Sequence, residues 1–246
     1  LRYRKQMKEA GSKAIIAEST ILPYICVIKE PGHVHIDGIK NGVPLAAFPA
    51  IKNDFVYSLM KQALPYYEKA SNILHTNFEN FNFVFHPPIT ILNTGLIERT
   101  GGNFTFYVEG APPTVAKIVD KVDIERMRVG ESLGLKLHYS WELLNIFYGA
   151  KGTNHYTSFR TNPAYQPSVY THVLKDLKTA NFLTEDINVG LITVASFADL
   201  TGTKIPLIKA IIQFACELVD ENFWEDGLTL EKLGLGGRSV QEIIEL

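Results

Sequence analysis

The sequence predicts an α/β segment over residues 1–78, followed by a mainly helical segment over residues 79–246. Between Lys13 and Ala50, short apolar runs alternate with turn residues, which is typical of β-strands. From residue 79 onward, apolar residues at helical spacing dominate. With 246 residues, 46% of them hydrophobic, the chain can bury the core of one large domain or of two.

The first segment is expected to contain strands within residues 14–18, 24–28, 33–40 and 44–49. Turn residues separate these runs, and Asn41-Gly42 between two apolar runs predicts a β-hairpin. A helix is expected over residues 53–64, followed by a strand-like stretch over residues 70–76.

In the second segment, Thr114 is the expected N-cap of a long helix that ends at Gly134. Residues 151–166 are polar and aromatic, which indicates a loop that is either a lid or disordered. The remaining helices are expected over residues 141–147, 168–178, 186–200, 205–219 and 228–233. The apolar run over residues 205–219 is too short to cross a bilayer.

Composition argues against several classes of protein. A net charge of −2 leaves no basic surface for nucleic acid or for an anionic membrane. Cys26 and Cys216 both lie in apolar runs far apart in the chain, which predicts buried thiols in a reducing compartment such as the cytoplasm. His33 and His35 share one face of a strand, but no cysteine or carboxylate cluster accompanies them, so no metal site is predicted.

His86 is the most informative single residue, because it directly precedes two prolines that open a helical pattern. A residue before proline avoids helical geometry and proline suits a first helical position, so the helix is expected to begin near Pro87 with His86 at its mouth. Histidine titrates near neutral pH and so can exchange protons. Asn93 lies two helical turns further on and could hold a ligand group beside the imidazole. The alternative is that His86 only caps a helix.

Taken together, several motifs resemble the opine dehydrogenases, the family of octopine and nopaline dehydrogenases and carboxyethyl-norvaline dehydrogenase. The motifs around and after His86 are Asn93-x-Gly95-x-x-Glu98, Gly102-x-Phe104-x-Phe106-Tyr107-x-Glu109-Gly110, Asp123-x-Glu125-Arg126, Thr184-Glu185-Asp186-Ile187 and Gly227-x-Thr229-Leu230. Upstream, Glu18-x-x-x-Leu22-Pro23 and residues 40–49 are similar to the last strands of the nucleotide-binding domain of that family. The resemblance covers nearly the whole chain.

The resemblance implies the end of a Rossmann domain, followed by a helical domain of the 6-phosphogluconate dehydrogenase C-terminal-like type. It implies NAD or NADP as cofactor and a reaction that joins an amino acid to a 2-oxo acid such as pyruvate. His86 matches the catalytic histidine and Asp186 the acid that partners it, although Asp186 could also be a helix N-cap. Glu18, Leu22 and Pro23 are the expected cofactor-binding residues, and a homodimer is left open.

Two departures from the family pattern affect these expectations. The glycine-rich first unit of a Rossmann domain is missing before Leu1, so we expect the chain alone to be inactive. Relatives often carry an arginine where this chain has Asn181, and an amide binds a 2-oxo acid carboxylate more weakly. The alternatives are a non-catalytic binding or oligomerisation fragment, or another enzyme of the same helical architecture that uses a lysine near the reacting carbon.

Overall fold

A computed structural model describes residues 6–7, 9–165, 176–178 and 180–244 of the chain. The predicted helix over residues 168–178 therefore falls largely outside the described residues, and residues 176–178 form a bend and turn. In the part of the chain that is described, no helix is long and apolar enough to cross a membrane.

Five strands form two small sheets among the described residues in the first part of the chain: β1 (Ile16–Ser19), β2 (Tyr24–Glu30), β3 (His33–Ile39), β4 (Val43–Phe48) and β5 (Tyr67–Lys69). The first four confirm the strands predicted from the turn residues. Strand β4 is central in the larger sheet, antiparallel to β1 and parallel to β5. Strands β2 and β3 form a separate antiparallel ribbon, in which Tyr24 pairs with Ile39.

The hairpin predicted at residues 41–42 is wrong. The observed hairpin turns at residues 31–32, between β2 and β3, and β3 and β4 belong to different sheets. Buried Lys40 explains the difference, because its amino group donates hydrogen bonds to the carbonyls of Leu22 at 2.8 Å and Tyr24 at 3.2 Å. These bonds hold the end of β3 beside the start of β2, so the next turn leads to the other sheet.

The two cysteines are both free thiols, but only one of them is buried. Cys216 lies in the helical core, as predicted, whereas Cys26 is exposed, so its predicted burial is wrong. Cys26 lies on β2, whose only strand partner among the described residues is β3. A two-stranded ribbon has too few neighbouring elements to cover both of its faces.

From residue 53 onward, the described residues contain eleven α-helices: α1 (Asn53–Ala63), α2 (Ile73–Phe78), α3 (Asn82–Leu92), α4 (Thr94–Thr100), α5 (Pro113–Ser132), α6 (Ser140–Tyr148), α7 (His155–Thr161), α8 (Ile192–Thr201), α9 (Pro206–Val219), α10 (Phe223–Asp226) and α11 (Val240–Ile244). Helices α1, α6 and α9 match their predicted ranges closely. Helix α5 also matches, although Pro112 rather than Thr114 is its N-cap residue.

Two predictions of local structure fail where a side-chain cap begins a helix. Residues 70–76 were expected as a strand, but α2 begins after Asn72, whose Oδ1 accepts the His75 N–H at 3.0 Å. Residues 151–166 were expected as a loop, but α7 begins after Asn154, whose Oδ1 accepts the Thr157 N–H at 2.9 Å. A short 3₁₀ helix, Pro163–Tyr165, follows α7. Asparagine N-caps are strong local signals for helix initiation.

Most helices share one core, and charged side chains buried in it hold the helices together. Leu74 and Phe78 of α2 already belong to this core. Arg126 of α5 donates to Asp123 at 2.7 Å and to the carbonyls of Phe78 and His138, both at 2.6 Å. A guanidinium with this many acceptors can remain buried, because its donors stay satisfied.

Glu79 is a buried carboxylate at the end of α2. It accepts hydrogen bonds from the His138 backbone N–H at 3.0 Å and from the His138 ring at 2.7 Å, and His75 lies 3.4 Å away. Burial by itself would raise the pKa of Glu79, but the bonds from His138 and His75 outweigh burial and lower the pKa from 4.5 to about 2. This carboxylate therefore stabilises the fold above pH 4.5, and its contribution is lost as the pH falls toward 2.

We expect Glu79→Gln to lower the free energy of unfolding at pH 7 by on the order of 2 to 3 kcal/mol, because a charge-assisted network loses its acceptor. The variant should also lose less stability than the wild type between pH 4.5 and pH 3. Urea unfolding at several pH values measures both effects, with exposed Glu131→Gln as the matched control. Acid dependence as steep in Glu79→Gln as in the wild type would contradict the assignment.

Candidate active site

Helix α3 carries His86, but not in the predicted way. The helix begins at Asn82, so His86, Pro87 and Pro88 lie inside it, and the predicted start near Pro87 is wrong. Each proline lacks the N–H that would bond the carbonyl four residues earlier, which disfavours a helix interior. The residues on both sides, Phe83 through Thr90, are all buried, and tertiary packing of this segment outweighs the local preference of proline.

The imidazole of His86 contacts the carboxylate of Asp186, although the two residues lie one hundred positions apart. The distance from Nδ1 to Oδ2 is 2.7 Å. We call this pair the dyad. The predicted juxtaposition is therefore confirmed. Neither residue is a helix cap, because His86 lies in a helix interior and Glu185, not Asp186, is the N-cap position of the following helix, with no side-chain cap bond.

Asp186 opens a π-helix, Asp186–Leu191, that continues into α8. The sequence predicted one regular helix here. Single π-helical turns within helices are uncommon and frequently occur at functional sites. Gly190 lets this turn approach α3 closely, because a Cβ added there would lie 2.6 Å from Cγ of Phe83. The close approach brings Asp186 to His86.

Gly190→Ala should therefore destabilise the protein by about 1 to 3 kcal/mol, since the added methyl overpacks the contact between the π-helix and α3. Gly95→Ala is the matched control, because Gly95 lies in α4 and no atom lies within 4 Å of an added Cβ. That control should be neutral or stabilising by about 0.5 to 1 kcal/mol. Urea unfolding of both variants measures the difference, and equal stabilities would refute the packing role of Gly190.

The dyad has a defined hydrogen-bond direction. An ionised carboxylate can only accept, so the proton between the two residues belongs to Nδ1 of His86. In the neutral ring, Nε2 is then an acceptor. It lies 2.7 Å from the hydroxyl of Tyr107, which can donate to it. Sequence reasoning assigned no role to Tyr107, although this residue lies within the Phe106-Tyr107 motif that carries the family resemblance.

Aromatic rings surround the imidazole. Phe182 stacks on it with ring centroids 4.0 Å apart, and the edges of Phe85 and Phe106 complete the enclosure. The His86 side chain is 7% exposed, against 15% for Asp186. The carboxylate is thus the more accessible end of the dyad, while the rings exclude water from the base nitrogen.

Asp186 lines a cleft between the π-helix and the residues that connect α2 to α3. Asn77, Asn80, Phe83 and Thr193 line it as well. A larger and mostly apolar cleft shares Asn77 and Thr193, and it extends to Glu18, Leu228 and Leu233. Asp186, the accessible member of the dyad, therefore lines a cleft that adjoins a larger one reaching strand β1.

The structure places the other predicted binding residues as follows. Both amide hydrogens of Asn93 are donated to backbone carbonyls, of Ile89 at 2.8 Å and of Gly110 at 2.7 Å, so its amide nitrogen supports the local fold. Asn181 is exposed, and its carbonyl accepts the N–H of Asp186 at 3.3 Å. The role of the Asn181 side chain in binding the 2-oxo acid carboxylate stays a prediction.

The predicted cofactor residues have different surroundings. Glu18 lies in the cleft, where its carboxylate accepts from Thr76 at 2.8 Å and from Asn77; burial raises its pKa. Leu22 is exposed and Pro23 is buried, and the backbone carbonyl of each accepts a bond from Lys40. Only Glu18 presents a side chain to the cleft among these three residues.

A second constellation resembles a hydrolase triad but is closed to substrate. His155 bonds Asp120 through Nδ1 at 2.6 Å and the hydroxyl of Ser140 through Nε2 at 2.6 Å. Ser140 and His155 are both fully buried, so no acyl group could reach the hydroxyl. These residues instead join α5, α6 and α7. Among the described residues, no group of three potential ligands could hold a metal ion.

The model of a protein family described as NAD/NADP octopine/nopaline dehydrogenase, alpha-helical domain, matches residues 69–219. The chain belongs to this family. It is 32% identical over 244 residues to an opine dehydrogenase from Arthrobacter sp. (strain 1C), covering 99% of this chain and 67% of the relative. It is 28% identical to a vitopine synthase from Allorhizobium ampelinum, covering 95% of this chain and 64% of the relative.

Solved structures of the family share the fold. An octopine dehydrogenase in complex with NADH and agmatine matches with a TM-score of 0.72 at 20% identity, covering 94% of this chain and 64% of that one. An NADP⁺-bound yersinopine dehydrogenase matches with a TM-score of 0.63 at 15% identity, covering 99% and 68%. The chain thus spans about two thirds of the length of the relatives that it matches.

Proposed function

We propose that the full-length protein is an NAD(P)-dependent opine dehydrogenase, an oxidoreductase that acts on a CH–NH bond. It condenses the amino group of an amino acid with a 2-oxo acid such as pyruvate and reduces the resulting imine. The observation that carries the proposal is the 2.7 Å contact between His86 and Asp186, in a chain that belongs to this family. The dyad lies at the end of a cleft large enough for small substrates.

Within this proposal, His86 is the general acid and base. Asp186 fixes the proton on Nδ1 and stabilises the charged ring, so the imidazole is the base for the proton that the substrate ammonium releases before its nitrogen attacks the oxo acid. The same proton is returned when the hydroxyl of the addition product leaves as water. The stacked ring of Phe182 and the edge of Phe106 hold the imidazole and exclude solvent from it.

The described residues fit one end of a dinucleotide. The apolar cleft lined by Leu228, Leu233 and Val189 suits a flat nicotinamide ring beside the dyad. NAD or NADP supplies the hydride when it is bound. The residues of this chain are proposed to contact the ring end alone, since the sequence has no complete G-x-G-x-x-G turn between a strand and a helix. Of the predicted cofactor residues, we propose Glu18 for contact with the ring end, because it lines this cleft.

Finer parts of the proposal follow from the resemblance. They are a Rossmann origin for the strands, a helical domain of the 6-phosphogluconate dehydrogenase C-terminal-like type, a domain boundary near residue 78 and a cytoplasmic location. Asn181 replaces the family arginine, so we propose that the oxo acid carboxylate receives bonds from amides such as Asn80 at the cleft. A non-catalytic fragment and a homodimer are the alternatives to be measured.

The test is an activity screen with the full-length protein. NADH or NADPH consumption is followed with pyruvate and each of the common amino acids, and the mass of the product is measured by mass spectrometry. We expect consumption only when both substrates are present, with a product whose mass is that of the two substrates minus one oxygen atom. Tight NADH binding without any condensation product would favour the non-catalytic alternative.

A further inference from the structure

A chain of hydrogen bonds continues from the dyad into the protein interior. The Tyr107 hydroxyl lies 2.7 Å from Nε2 of His86, and the Tyr107 ring stacks on that of Tyr165 with centroids 3.8 Å apart and an interplanar angle of 11°. Burial raises the pKa of Tyr107, so its phenol stays protonated and can donate.

We infer that Tyr107 is a positioning residue that holds His86 in its neutral form with Nε2 as an acceptor. Both donors point the same way, from Tyr107 to His86 and from His86 to Asp186. The catalytic role inferred for Tyr107 rests on the proposed function, whereas the hydrogen bond that it donates to His86 does not.

The direction follows from the donors and acceptors. Because the proton shared with Asp186 lies on Nδ1, Nε2 of the neutral ring is an acceptor and the Tyr107 hydrogen is directed at it. Protonating Nε2 would bring two hydrogens face to face, so the Tyr107 hydroxyl would have to rotate. A hydrogen bond to the neutral form of a group disfavours its charged form. Tyr107 therefore keeps the base unprotonated until substrate arrives.

No other charged group among the described residues contacts the imidazole. Asp186 favours its protonation and Tyr107 opposes it, while Phe85, Phe106 and Phe182 carry no charge. Burial raises the pKa of Tyr165 as well, so both phenols remain protonated at neutral pH. The balance between one carboxylate and one hydroxyl thus sets the pH at which His86 takes up a proton.

The experiment is a pH titration of the full-length protein labelled with ¹⁵N-histidine, in which the His86 signals are identified by their loss in His86→Asn. In Tyr107→Phe, we expect His86 to take up its proton at a pH higher by about 0.5 to 1 unit, the effect of one lost hydrogen bond. Tyr67→Phe, which removes a buried hydroxyl in the other core, should leave it unchanged.

If His86 took up its proton at the same pH in the wild type and in Tyr107→Phe, the inference would be overturned. A shift to lower pH in the variant would also overturn it, because Tyr107 would then be an acceptor that stabilises the charged ring. Thermal unfolding reports whether each variant folds, and Tyr107→Met, which also lacks the hydroxyl, carries the test if Tyr107→Phe does not fold. The acidic limb of the pH profile of kcat/KM should shift in the same direction as the titration of His86. An inactive protein with the expected shift would refute the proposed function alone.

Discussion

Replacing His86 with asparagine in the full-length enzyme should lower kcat/KM for reductive condensation by about 10² to 10⁴, the usual contribution of one general acid–base group. Asparagine can still donate to Asp186 from a position close to that of Nδ1, but it has no group at Nε2. The affinity for NADH should stay within about twofold, because the dinucleotide is held mostly elsewhere. Steady-state kinetics and NADH fluorescence titration measure the two quantities.

His33→Asn is the matched control, since it removes an exposed imidazole on β3. Its kinetics should equal those of the wild type. If His86→Asn instead lowered the thermal midpoint and left kcat unchanged, His86 would be a packing residue and the catalytic role would be wrong.

Asp186→Asn should lower kcat in the same direction but by less, about tenfold to a hundredfold. The amide can donate to Nδ1, which favours the wrong tautomer, and it no longer stabilises the charged ring. The base itself remains, so activity should persist. The pH profile should also change, because protonation of His86 loses the partner that favours it.

Exposed Asp199→Asn serves as the control for this substitution, since it removes a carboxylate that pairs with Lys209 far from the dyad. That variant should keep wild-type kinetics. A decrease in kcat for Asp186→Asn that equalled the decrease for His86→Asn would show that the two residues are required to the same degree, contrary to a supporting role of the carboxylate.

Local signals predicted most of the elements, and long-range contacts account for the errors. Turn residues located β1 to β4, and helical spacing located α1, α5, α6 and α9. The pairing of strands was not predictable, because it depends on the amino group of Lys40 and carbonyls sixteen and eighteen positions away. Helix α3 includes His86 although a residue before proline avoids helical geometry, because the residues on both sides of His86 in the helix are buried.

The site was predicted in part. The resemblance named His86 and Asp186, and the structure brings them together. The π-helix that positions Asp186 has no periodic signal in the sequence, since it depends on Gly190 fitting against Phe83. Tyr107 lay in a recognised motif, but its contact with Nε2 spans twenty-one positions and requires the ring stack on Tyr165. Asn93 was assigned to substrate, whereas its amide nitrogen bonds the backbone.

The most direct test of the dyad is a single-turnover experiment. Full-length enzyme with bound NADH is mixed rapidly with saturating amino acid and pyruvate, and the decay of NADH absorbance is followed in wild type and His86→Asn. We predict that the variant binds NADH as the wild type does but oxidises it at least about a hundredfold more slowly. Decay at the wild-type rate in His86→Asn would contradict the assignment of His86 as the acid and base of the reaction.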